Sequence, residues 1–162
     1  MCKSCMAQLA FSTGDGFAAL RHYADSLQSF ETVGDIPEVA RVFCEMGWTA
    51  LSIPDVAEAR RAFRESLRVY NEVGSQRGVG LALMGLATAE TAEGNHENAV
   101  VIGAAADLLS ERTGIVIRHA MGPSGSDQVA EIRRGMPKAE MDALVARGRA
   151  MSVPEVLAMI QS

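Results

Sequence analysis

The sequence repeats on itself at an offset of 40 residues, and no other feature limits the possible folds as much. Residues 6–35 read MAQLAFSTGDGFAALRHYADSLQSFETVGD; residues 46–75 read MGWTALSIPDVAEARRAFRESLRVYNEVGS. The pairs Met6/Met46, Ala10/Ala50, Asp15/Asp55, Ala19/Ala59, Arg21/Arg61, Ser26/Ser66, Leu27/Leu67 and Gly34/Gly74 are identical. A third copy over 86–115 keeps Ala99 and Gly114 in phase. A period of this length marks stacked supersecondary units, each too small to bury its apolar face alone.

Each unit reads as two helices. In the middle unit the spacing predicts helix A over 37–52 and helix B over 56–73. Asp35 with Glu38, and Asp55 with Glu58, form D-x-x-E capping boxes, and Pro37 suits a first turn. Gly74 supplies a left-handed stop. Val56, Ala59, Phe63, Leu67 and Tyr70 fall at three-and-four spacing, one buried face. In the third unit Asn95 takes the cap position. Gly47 and Ala87 on helix A face Ala59 and Ala99 on helix B, small residues that let the pair cross closely, with Phe63 and Tyr23 filling the adjoining space. The expected fold is all-α, in units of about 1–34, 35–74 and 75–114. A C-terminal helical extension over 115–162 follows, after a Gly/Ser/Pro linker at 122–126. Within it, short helices are expected over 126–135, 137–149 and 153–161, the last opened by an S-x-x-E box at Ser152 and Glu155.

Composition agrees with helices and removes several function classes. Aromatics are only 5% of the chain, while Ala, Leu, Met, Glu and Arg abound. No apolar run approaches the ~18–20 residues of a membrane span, and the N-terminus lacks a leader layout. These features predict a cytoplasmic protein without membrane contact. Net charge is −5, and the repeats hold most of the acidic excess, which argues against direct nucleic-acid contact.

The repeats resemble the tetratricopeptide (TPR) pattern at Phe43, Met46, Gly47, Ala50, Ala59, Phe63 and Ser66. Ala50 stands where that pattern has Tyr and Ser66 where it ends in Ala, and the period exceeds the usual ~34 residues. The resemblance implies a right-handed superhelical array of antiparallel helix pairs, an α-solenoid of about three repeats. The tail sharpens it. Residues 101–108 and 147–157 are similar to the C-terminal region of bacterial LuxR-type and predicted-ATPase multidomain transcriptional regulators. The ATP-binding loop and DNA-binding helix-turn-helix of that family have no counterpart in these 162 residues.

Catalytic motifs are missing from the sequence. It has no phosphate-binding glycine loop and no legible Ser/His/Asp grouping, so a non-enzymatic chain without cofactor is expected. Cys2 and Cys5 form a C-x-x-C, but a zinc site needs about four ligands. Cys44, His22, His96 and His119 are scattered, so metal or redox use of the cysteines ranks last, and incidental thiols are expected. Glu90, Glu93 and Glu97 read as a solvated acidic patch.

In the fold that the resemblance implies, helix A lines a concave face. The groove positions are then Gln8 and Phe11 in the first unit, with Ser4 and Ser12 beside them. The second unit gives Arg41, Cys44, Trp48 and Leu51, with Ser52. The third gives Met84, Thr88 and Thr91, with Leu81 and Ala92. Trp48 is the only Trp in the chain, and its equivalents Gln8 and Thr88 show that the scaffold demands no aromatic there. The first reading is therefore a regulatory or protein-interaction module that takes a protein or peptide partner. The alternative is a sensor whose groove holds a small-molecule effector. Tail helices folded over this face would close it. The first helix A is short in this register, and an uncapped array end predicts a two-fold homodimer.

Overall fold

The computed structural model describes residues 3–114 and 123–160. Among them it is all-helical: α1 (Lys3–Ser12), α2 (Gly16–Val33), α3 (Ile36–Ser52), α4 (Val56–Glu72), α5 (Gln76–Glu93), α6 (His96–Thr113), α7 (Pro123–Gly135), α8 (Lys138–Ala150) and α9 (Val153–Met159). None of these helices is long and apolar enough to cross a membrane.

The helix starts follow the sequence signals, with two differences. Asp15, Asp35 and Asp55 each accept a hydrogen bond from the backbone N–H three residues on, at 2.9, 3.4 and 3.1 Å. Only that half of each expected D-x-x-E box forms. Glu38 and Glu58 instead hold Arg41 and Arg61, one helical turn away. Asn95 makes no side-chain cap bond; its amide is drawn elsewhere, as described below. Ser152 and Glu155 do form their box, the Ser152 backbone N–H donating to Glu155 Oε2 at 2.6 Å. Gly34, Gly74 and Gly114, one repeat apart, have φ of 73°, 73° and 68°, a left-handed backbone that side chains disfavour and that ends a helix sharply.

Successive helices from α1 to α6 pack on one another, and α3 also meets α5. Ala19, Ala59 and Ala99 are fully buried, as expected for the small positions of the repeat. Phe63 is the centre of the packing. A Cβ on Gly47 of α3 would lie 2.6 Å from its ring, and one on Gly85 of α5 would be closer still. The α4 phenyl therefore fills space that two glycines leave on two neighbouring helices. Ser66 on the same helix donates from Oγ to the Ala40 carbonyl at 2.9 Å.

The C-terminal helices fold back on the repeats. α7 packs on α5 and α6, α8 on α6, and α9 on α4. Gly148 lies so close to the Val101 carbonyl that a Cβ would collide with it. Two ion pairs fasten the same surfaces, Arg133–Asp107 at 2.6 Å and Arg149–Glu111 at 2.7 Å. Residues 123–126, expected in the linker, form the first turn of α7; a proline there gives up an N–H that has no helical partner anyway. The rest of the expected linker, with His119, lies outside the described residues.

Candidate functional site

The residues assigned to the groove lie along α1, α3 and α5, and their accessibility varies along that row. Gln8 and Phe11 are exposed, Phe11 at 44%. Arg41, Trp48, Leu51 and Thr91 are half-buried. Cys44, Met84 and Thr88 are buried. The row is thus most open at the first unit. At the third, the Thr91 side chain stands next to the tail. A cavity of about 420 Å³ is lined by Thr91 and His96 together with Gln128, Glu131, Ile132 and Met136 of the tail. His96 and Met136 also border an adjoining cavity of about 510 Å³, which reaches Glu97, Asn98 and Glu140.

Arg41, Thr88 and Thr91 are each tied to their own helix. Thr88 and Thr91 donate to the Met84 and Ala87 carbonyls, both at 2.9 Å. Arg41 donates to Glu38 from two nitrogens, at 2.9 and 2.7 Å. Trp48 meets Phe63 edge to face, ring centroids 5.0 Å apart at 69°, so one side of the indole is fixed by the core. Burial pushes the Cys44 thiol up to about 12, with the charge of Glu45 adding to it. Cys44 is therefore a protonated, unreactive thiol at neutral pH.

A small charged cluster joins α2 to α3 beside this row. The Tyr23 hydroxyl bonds to Glu45, and burial followed by that carboxylate's charge pushes the phenol up to about 12. The Glu45 carboxyl is itself raised, chiefly by burial, although Arg41 and Tyr23 pull the other way.

Sequence reasoning missed one polar centre. Glu90 was expected in a solvated patch, yet it is 0% exposed. Its Oε1 lies 2.7 Å from Arg60 Nε, an ion pair too poorly aligned to count as an N–H···O hydrogen bond. Asn95 and Asn98 each donate from Nδ2 to Glu90 Oε2, at 3.0 and 3.2 Å. Arg60 also reaches Glu93 from Nη1 at 2.8 Å. Asn95 thus turns its amide N–H to a buried carboxylate, and its side chain makes no cap bond to α6. Glu93 and Glu97 are exposed, as expected. The signal was present in the register. Glu90 is in phase with Ala10 and Ala50, and Arg60 with Leu20 and Val100, so opposite charges occupy two apolar positions of the repeat.

Cys2 lies outside the described residues, and Cys5 is exposed on α1. No three His, Cys, Asp or Glu side chains among the described residues are grouped to hold a metal ion. Comparison with known families, curated proteins and solved structures gives no match to this chain.

Proposed function

We propose that the chain is a non-enzymatic interaction module, a TPR-like right-handed solenoid whose α1, α3 and α5 row receives a protein or peptide partner. The observation that carries this reading is the row of accessible side chains Phe11, Arg41, Trp48 and Leu51 on the A helices of two successive units. It combines two aromatics, an aliphatic and an arginine, the residue types enriched where interfaces hold their binding energy. The resemblance of 101–108 and 147–157 to LuxR-type and predicted-ATPase regulators supports a regulatory role for such a module. Promoter binding and ATP hydrolysis would then belong to other domains of that family.

A second reading, small-molecule sensing, is favoured by the cavity between Thr91 and α7, whose volume suits a small effector. Trp48 fluorescence separates the two. A shift on adding a partner peptide, abolished in F11A, supports the interaction module. A saturable shift with a metabolite and none with peptides overturns it in favour of sensing.

A further inference from the structure

The repeat does not stop at the third unit. Carried on by 40 residues, the register places α7 where a fourth helix A belongs. Gly125 is in phase with Gly85, and Ala130 with Ala10, Ala50 and Glu90. The packing of this helix agrees. α7 lies on α5 and α6, as α5 lies on α3 and α4. Val129 is 4% exposed, and its equivalents in the second and third units, Thr49 and Ala89, are 2% and 0% exposed. Agreement ends at the next helix. α8 packs on α6, and Ala139, in phase with the buried Ala19, Ala59 and Ala99, is exposed. A fourth helix A is therefore in place, while the helix after it takes another course.

Gln128 and Glu131 then stand in phase with Thr88 and Thr91, with Trp48 and Leu51, and with Gln8 and Phe11. The cavity of about 420 Å³ places them independently of the register. Thr91 lines it together with Gln128, Glu131 and Ile132, so the end of the row on α5 and the equivalent side chains of α7 face one space. We propose that the row continues onto α7 and that its occupant is a peptide segment with an apolar part and a basic part. The apolar side chains cover Phe11, Trp48 and Leu51, and a Lys or Arg further along enters the cavity between α5 and α7. This rests on the reading of the row as a partner site. Charge selects the basic group. Glu131 borders the cavity, Glu97 and Glu140 border the adjoining one, and no Lys or Arg among the described residues lines either. The cations nearby are already held, Arg133 by Asp107, Arg60 by Glu90 and Glu93, and Lys138 by Asp142. Ile132 and Met136 give the cavity apolar walls, which suit the methylenes of a long basic side chain and leave the carboxylates for its head. Packed helices lie about 8–10 Å apart, so two steps from α3 to α7 take about five to six residues of extended peptide.

Short random peptides displayed on phage and selected on the whole chain test this, with affinities then read from the anisotropy of labelled copies. The expected peptides carry a Lys or Arg about five to six residues from an apolar side chain. F11A weakens them, as the row requires. E131K weakens them about 10-fold, repulsion replacing attraction. Replacing the peptide's basic residue by Ala lowers its affinity for wild type and not for E131K, the coupling expected of a direct contact. E31K, the same charge change at an exposed site on α2, leaves affinity unchanged. Glu31 and Glu131 are both exposed, so helix content by circular dichroism stays at the wild-type level in either variant. Peptides that respond to F11A and not to E131K overturn the proposal and leave the interaction module standing. Equal losses in E131K and E31K overturn it too, because net charge alone then sets the affinity. If no peptide is selected, the proposal and the module reading fall together. Spermidine that binds wild type and not E131K, where no peptide binds, overturns both in favour of sensing.

Discussion

Glu90 and Arg60 put opposite charges into an interior that the other units keep apolar. A buried ion pair of this kind adds little net stability, but losing one partner strands the other without solvent. R60A, which leaves Glu90 buried with only Asn95 and Asn98, is therefore expected to cost about 3–5 kcal/mol in urea unfolding, and E90A less, because Arg60 keeps Glu93 and is partly exposed. The double replacement R60M/E90L should recover most of that loss, because two apolar groups fit positions in phase with Leu20, Val100, Ala10 and Ala50. A double variant as unstable as E90A alone would show that Asn95 and Asn98, left without their acceptor, dominate the cost. Two carboxylates on α3 respond to pH in opposite senses. The Arg41 guanidinium bonded to Glu38 holds its carboxyl below the ordinary value. That stability is present above the usual carboxylate range and is lost as pH falls through the lowered value. E38Q should then be less stable than wild type at neutral pH, by at most about 1 kcal/mol at this half-exposed site, and equal to it in acid. Burial raises Glu45, so its charge costs stability at neutral pH and the cost fades as pH falls through the raised value. E45Q, whose carbonyl can still accept from Tyr23, should be more stable than wild type near neutrality, with the difference closing in acid. Urea unfolding at several pH values reads both signs.

The helices themselves were largely legible, because their starts and stops are local. Aspartates at Asp35 and Asp55, a proline at Pro37 and glycines at Gly34, Gly74 and Gly114 mark boundaries that need no distant partner. The half-formed capping boxes show the limit. Glu38 and Glu58 had a second suitor at i+3, and an arginine side chain competes well with a single backbone N–H. Residues 123–126 looked like linker because Gly, Ser and Pro usually are, yet packing of α7 on α5 and α6 outweighs their poor propensity. The burial of Met84 and Thr88 likewise needed contacts far along the chain. Pairwise contact between elements was legible where small residues recur. Gly47 and Gly85 both accommodate Phe63, so G85A should destabilise by about 1–3 kcal/mol through overpacking, despite alanine's better helix propensity. Adding F63L to G85A should return part of the loss, since the shorter side chain frees the volume the methyl needs. An unchanged midpoint for G85A in urea would mean that α4 and α5 separate at little cost.

At the scale of the molecule, most of the buried apolar side chains among the described residues fall into two clusters rather than one. Ala7, Ala19, Tyr23, Val39, Val42, Phe43, Met46 and Ala62 form the smaller, which joins α1 and α2 to the rest. The larger runs from Ala40 and Cys44 through Phe63, Leu83 and Leu86 to Val129, Val156 and Ile160, so α7 and α9 share a core with α3–α6. In a stack held by nearest-neighbour contacts, the segment with fewer buried partners opens at lower free energy. α1 has 10 residues where α3 has 17 and α5 has 18, so it brings the least surface to that balance. Native-state hydrogen exchange should therefore show the fastest opening in α1 and α2, with amides of α4, α5 and α6 exchanging at the global limit. α9, though only a single short helix, should be slower than α1, because Val156 and Ile160 anchor it in the larger cluster. Uniform exchange across all the helices would mean that the two clusters unfold as one, and that the interface at Val39, Val42 and Ala62 couples the first unit to the rest more tightly than its buried area suggests.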